Sequence, residues 1–205
     1  MDSTTQIGKK IGEVIEASTT DFTAESYELH SAPSLGALLR TSDGVLDIYA
    51  VACHARTASI DPGRRPVARG RDDDDEEEIY RRHPELPQLL RTEFRALVVG
   101  FRESEALHHY LPPRPARLHG FVHECEATEV VAFTARLDFL PTLVSASPPV
   151  PADELVGAFL RLAGAARAQL GGDARAFLVA AGKELARTLT GDPQRLGALL
   201  LRIRV

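Results

Sequence analysis

Ile7-Gly-Lys-Lys-Ile11-Gly12-Glu-Val14-Ile15 opens a stretch that continues through Ser26-Tyr27-Glu28-Leu29-His30 and Leu35-Gly36-Ala37-Leu38-Leu39 to Asp47-Ile48-Tyr49-Ala50-Val51. Each piece is short, β-prone and ended by Gly, Pro, Asp or Ser, the pattern of a small antiparallel β-barrel. Gly8 and Gly12 punctuate the first piece as in a bent or bulged barrel strand. Residues 18–24 are polar and read as a turn. Residues 26–30 alternate, with Tyr27 and Leu29 on one face, and are expected to form a half-buried strand. Pro33 and Gly36 mark the next turn. Leu38 and Leu39 lead to Asp43-Gly44, a strong hairpin signal, and the returning strand is expected over residues 47–59.

Outward from this stretch the composition changes at Asp61-Pro62-Gly63. A Pro/Gly-rich piece carrying Arg64, Arg65, Arg69 and Arg71 meets the acidic run Asp72-Asp73-Asp74-Asp75-Glu76-Glu77-Glu78. Such a segment buries little apolar area, so residues 61–93 are expected to be an exposed, partly mobile insertion. Within it, residues 76–82 suit a short helix whose first turn is acidic, as the helix dipole favours, ended by Pro84 and Pro87. Strand character resumes over residues 94–101. Leu111-Pro-Pro-Arg-Pro115 is a stiff extended connection. Residues 116–125 read as a further strand with His119, Phe121, His123 and Cys125 on one face.

The remainder reads as helical. One run covers residues 128–138, and Pro141 and Pro148-Pro149 bracket a loop. A helix follows over about residues 151–170 with Leu155, Phe159 and Leu162 on one stripe. Gly171-Gly172 ends it, Asp173 is the expected N-cap of the next helix, and Asp192-Pro193 starts the last. The expected fold class is therefore α+β: a small six-stranded antiparallel β-barrel over residues 1–125, interrupted by the insertion, then a helical C-terminal region over residues 126–205.

Composition narrows the function classes. The formal net charge of −5 lacks the basic excess of a general nucleic-acid binder. No apolar run is long enough for a membrane-spanning helix, and residues 1–10 lack the apolar core of a secretory signal, so a cytoplasmic protein is expected. Two widely separated cysteines, Cys53 and Cys125, read as buried free thiols.

Candidate chemistry is sparse. A phosphate-binding P-loop requires glycine at its start and Gly-Lys-Ser/Thr at its end. Gly182-Lys183-Glu184 has Phe177 upstream and Glu184 in place of the hydroxyl, so ATP hydrolysis is not expected. His119, His123 and Cys125, with His54 or Cys53, are zinc-ligand types, but strand residues four apart are separated by roughly 13 Å, and packing is the simpler role. His108-His109 beside Tyr110 has no accompanying nucleophile motif. No cofactor is expected, and no enzymatic activity. The segment Arg64, Arg65, Arg69, Arg71, Asp72, Asp73, Asp74 and Asp75 is left as the candidate partner-binding surface, although neutralisation of the arginines by the adjacent acids is the simpler reading.

The N-terminal two-thirds resembles the HAS-barrel domain, the small barrel shared by HerA-type translocases and rotary ATP synthases. Ile11-Gly12-Glu13-Val14-Ile15, residues 18–27, Leu35-Gly36 and Ile48-Tyr49-Ala50-Val51 carry the likeness. The whole chain also resembles stand-alone HAS-barrel proteins, through Thr57-Ala-Ser-Ile-Asp-Pro-Gly-Arg-Arg-Pro66 and Tyr110-Leu-Pro-Pro-Arg-Pro-Ala-Arg-Leu-His119. In the larger relatives the barrel helps assemble a motor ring or dock a partner. The resemblance thus implies an assembly or adaptor module that binds itself or a protein partner, a translocase or nuclease of DNA processing among them. The alternative expectation is a small-barrel nucleic-acid binder, which requires Tyr27, Tyr49, Phe94 and Phe101 to be exposed for stacking.

Overall fold

The structure, a computed structural model, describes residues 8–71 and 75–203. The strands are β1 (Lys10–Ala17), β2 (Asp21–Ser26), β3 (Leu38–Ser42), β4 (Asp47–Ser59), β5 (Leu90–Glu103), β6 (Ala106–His108) and β7 (Phe121–Glu124). The helices are α1 (Glu76–Arg82), α2 (Leu86–Leu89), α3 (Ala127–Phe133), α4 (Leu140–Ser145), α5 (Ala152–Gln169), α6 (Ala174–Thr188) and α7 (Pro193–Arg202). Antiparallel pairing runs β1–β2–β5–β4–β3–β7 and returns to β1, which closes a six-stranded barrel. β6 adds to the end of β5 through Phe101 and His108. The expected α+β class is observed.

Strand parity explains the two cores. Ile48, Ala50 and Ala52 of β4 point into the barrel with Val14, Phe22, Leu39, Phe94 and Val122. Tyr49, Val51 and Cys53 point the other way and join the helical layer through Phe133, Phe139 and Phe159. β4 is therefore apolar on both faces, which accounts for its unbroken run of β-prone residues. Alanines at positions 24, 50, 52 and 96 leave the volume that Phe22 and Phe94 fill. Irregularities in β1 between Val14 and Glu16, and in β4–β5 at Tyr49/Ala50 and Ala52/His54, add the local twist that closure of so small a barrel requires.

Several elements differ from the sequence reading. The second strand lies at Asp21–Ser26 rather than over residues 26–30, because Phe22 and Ala24 alternate into the barrel while Tyr27 stays half exposed. Residues 18–20 alone form the turn, where Ser18 Oγ accepts from the Thr20 and Asp21 N–H groups at 3.1 Å. The strand expected from residue 94 begins at Leu90, as the ladder with β4 extends to Ser59 and Leu90. The strand expected over residues 116–125 is only Phe121–Glu124, since His119 turns the chain with a φ of 63°.

In the helical part, α3 stops at Phe133 because Arg167 caps it. Its Nη2 reaches the Thr134 carbonyl at 2.8 Å and its Nη1 reaches Thr134 Oγ1 at 2.7 Å. Pro141 begins α4 instead of bounding a loop, as proline fits the first turn of a helix. The Asp173 and Asp192 caps form as expected, accepting from Ala176 N–H at 2.8 Å and Arg195 N–H at 2.9 Å. α5 is the centre of this layer and contacts α3, α4, α6 and α7.

Barrel and helices approach closely at Gly36. Its φ is +85°, and a Cβ there would lie 2.5 Å from the Phe159 nitrogen. Its N–H donates to the Ala52 carbonyl at 2.8 Å, so the backbone has no room to withdraw. Gly36→Ala is expected to destabilise the fold by about 2–4 kcal/mol through strain and overpacking. Gly191→Ala, where a Cβ meets nothing within 4 Å, is expected to stay within about 0.5 kcal/mol of the parent. Chemical denaturation of both variants checks the contrast.

Candidate functional site

Chemistry-bearing side chains gather in two places. The first is the seam between the outer face of β3, β4 and β5 and helix α3. Glu129, only 7 % exposed, accepts from Tyr49 Oη at 2.9 Å and lies 2.9 Å from Arg40 Nε and 3.8 Å from Arg102 Nη2. Arg102 also donates to Tyr49 Oη, and Arg40 Nη1 meets Asp47 Oδ1 at 3.2 Å. Arg40 Nε makes no well-aligned hydrogen bond, so its contact with Glu129 is coulombic rather than directional.

Burial raises the Tyr49 hydroxyl pKa far above its ordinary range, and the Glu129 charge adds to the shift. Burial, followed by Glu129, likewise raises the Cys125 thiol pKa. Two guanidinium groups therefore face two carboxylates, with neutral Tyr49 and Cys125 between them. This charge-balanced set is suited to locking a helix onto a sheet. Sequence reasoning missed it: Glu129 looks like any polar residue of a short helix. The one available signal was Arg40, a cation placed between Leu39 and Thr41 in a buried strand.

The zinc-type residues do not converge. His119 lies in a loop beside Glu13, His123 faces outward from β7, and Cys125 is buried under the helices. Among the described residues no cluster of three or more His, Cys, Asp or Glu side chains has metal-binding geometry. His108 packs on Phe101 and Tyr110, whereas His109 turns inward to the Phe133 carbonyl at 3.0 Å, where burial lowers its pKa. Gly182-Lys183-Glu184 is mid-helix in α6. Of the aromatics needed for stacking on single strands, Tyr49, Phe94 and Phe101 are buried; only Tyr27 is open, with the Lys10 ammonium 5.2 Å above its ring.

The second place is the tip of the β4–β5 ribbon. Beyond Cys53, β4 pairs with β5 alone, from His54–Arg95 to Ser59–Leu90, while β5 keeps its pairing with β2 as far as Glu93. Residues 60–69 then fold against α1 and α2 and enclose an open groove of about 560 Å³. Ile60, Val67 and Leu89 give its apolar lining, and Val67 is 78 % exposed. Arg64, Arg65 and Arg69 stand along it.

Among the described residues, the acids next to these arginines, Asp75 and Glu78, are engaged within α1. Asp75 caps α1 by accepting from Glu77 N–H at 3.0 Å and pairs with Arg81 at 2.9 Å, and Glu78 also pairs with Arg81. Among the described residues, Arg64 has a 3.6 Å contact with Asp61, and Arg69 faces His83 at 3.2 Å. Arg65 and the exposed Arg71 make no ion pair among the described residues. Asp72, Asp73 and Asp74, the rest of the candidate surface, lie outside the described residues. The structure thus brings Arg64, Arg65 and Arg69 together on a groove and places Asp75 in a helix cap.

Compared with known proteins, the chain matches no family model and no curated sequence.

Both thiols are buried and unpaired. Burial pushes the Cys53 thiol pKa up to about 11, so thiolate is scarce at neutral pH. A thiol reagent at pH 8 is expected to leave the native protein unmodified and to label both cysteines after denaturation. The Cys53 contribution to stability is present below its unfolded pKa and is lost as pH rises through about 11. Reagent titration with and without denaturant checks the labelling.

Proposed function

We propose that this chain is a non-catalytic assembly module whose ribbon-tip groove docks an acidic, amphipathic segment of a protein partner. The observation that carries this reading is the groove: apolar side chains exposed to solvent beside arginines whose only ion pair among the described residues is the 3.6 Å contact of Arg64 with Asp61. Covering the apolar lining removes it from water, while Arg64, Arg65 and Arg69 select a negatively charged occupant. Glu76 at one margin sets a polarity along the groove, repelling an acid at that end. The closed barrel agrees with the HAS-barrel resemblance, in which the barrel serves motor assembly. A ring-forming DNA translocase or a nuclease is therefore the partner class to test first, with self-association beside it.

Val67→Asp places a charge in the lining, and the combined Arg65→Glu and Arg69→Glu substitution reverses the rim. Neither touches a core, so both variants are expected to keep the parental melting temperature within a few degrees. Affinity-tagged parent protein should co-purify a partner identified by mass spectrometry. With that partner purified, each variant should weaken binding by about tenfold or more, and added salt should weaken the parent complex. Absence of any partner and of self-association, or equal binding by both variants, overturns the reading.

A further inference from the structure

Phe177, Ala181 and Leu185 bury one face of α6 in the helical core. The neighbouring face, with Val179, Gly182 and Ala186 at helical spacing, is the floor of an open groove of about 830 Å³. Leu200 and Ile203, at the end of α7, form its wall. Val179 is 52 % exposed. The floor is recessed at Gly182, where a Cβ would lie 3.2 Å from Leu200 Cδ2. From Ala174 to Ala186 the groove runs along about three turns of helix, or about 18 Å.

Charge selects what this groove accepts. Arg175 and Lys183 are the charged side chains of its lining, and both are exposed. Neither makes an ion pair or a hydrogen bond among the described residues. The carboxylates of the elements around them are engaged elsewhere. Asp153 accepts from Arg195 at 2.8 Å, Glu154 from Arg202 at 2.7 Å and Glu184 from Arg187 at 2.9 Å. Asp173 and Asp192 are held at the N-termini of α6 and α7, where peptide N–H groups and the helix dipole offset their charge. α4, which also contacts α6, carries no charged residue. Two positive charges therefore stand on an apolar groove with no carboxylate in its lining.

A second copy of this face fits poorly. Antiparallel pairing of two α6 helices about a two-fold axis at Val179 would set each Arg175 against the other copy's Lys183. A flat lipid surface would not reach the recessed Gly182, whereas a helix laid along the groove would. Arg175 and Lys183 are about 12 Å apart along the helix axis, the separation of two acids about eight positions apart on a parallel or antiparallel helix. We propose that the α6–α7 groove docks an amphipathic helix of another protein, with acids seven or eight positions apart beside its apolar stripe. This surface is separate from the ribbon tip and does not rest on the reading of that groove.

The probe is a stapled helical peptide about four turns long, with leucines on one face and glutamates seven residues apart beside them. A counterpart has lysine in place of glutamate, and each is titrated into isotope-labelled full-length protein. The glutamate peptide should shift the amide signals of Val179, Gly182 and Ala186, and the lysine peptide should bind about tenfold or more weakly. Val179→Asp places a charge on the floor and should weaken binding of the glutamate peptide by about tenfold or more. The combined Arg175→Glu and Lys183→Glu substitution, at two exposed positions, should reverse the preference toward the lysine peptide. It also serves if Val179→Asp fails to fold.

Val67→Asp should leave these α6 shifts unchanged, so that failure of the ribbon-tip groove and failure of this one are read separately. The proposal is overturned if the glutamate peptide leaves the α6 amides unmoved, or if the charge-reversed variant keeps the parental preference. Broadening of the α6 signals with protein concentration alone would make a second copy the occupant and overturn it. Sedimentation of the parent, but not of Val179→Asp, with phosphatidylglycerol vesicles would make the occupant a membrane, with the same result.

Discussion

The carboxylate of Glu129 lies where the barrel wall meets the helices, and the side chains around it come from separate elements. Arg40 arrives from β3, Tyr49 from β4 and Arg102 from β5, while Cys125 follows β7. A charge so deeply covered is costly unless it is compensated, and each compensating group here is carried by a different strand. The helical layer consequently has one electrostatically satisfied seat on the barrel. Sliding α3 along the sheet would separate Glu129 from both guanidinium groups and leave Tyr49 Oη without its acceptor. Hydrophobic contact between the aromatic rings of Tyr49, Phe133, Phe139 and Phe159 supplies attraction without direction. The ion cluster supplies the direction.

What was legible in the sequence follows the range of the responsible forces. Asp43-Gly44, Asp173 and Asp192-Pro193 act within a few residues, and each appears where its chemistry puts it. β2 was misplaced because Phe22 is the only large apolar residue among polar neighbours. Its strand state depends on pairing with β5, some seventy residues away, in the register Asp21–Leu97 to Glu25–Glu93. Barrel closure through β1 and β7 is equally remote. The early end of α3 was hidden for the same reason, since the capping arginine sits on α5.

The candidate site divides along similar lines. The unusual composition of the insertion pointed to Arg64, Arg65 and Arg69, and the groove lies there. Composition alone suggested that adjacent acids would quench these arginines. Among the described residues, Asp75 and Glu78 are committed instead to the cap and the ion pairs of α1. The open edge of β4 was invisible, since residues 47–59 read as one strand and nothing local shows which neighbours a strand lacks. Of the aromatics named for stacking, Tyr49, Phe94 and Phe101 are buried, while Tyr27 is open, as are Tyr110 and Phe121.

The irregularity at Cys53 has a consequence for how the ribbon can vary among related sequences. Before it, even-numbered residues of β4 face the barrel interior; after it, His54 and Arg56 lie on the outer face. One supernumerary residue thus inverts the parity of everything downstream. Losing a residue here would send Arg56 toward the barrel mouth and expel Ala55. Matched insertions of two residues in both ribbon strands would preserve every facing. They would move the tip outward by about 7 Å per step while the barrel register stayed the same. The bulge therefore makes the ribbon a length-adjustable arm on an invariant hub.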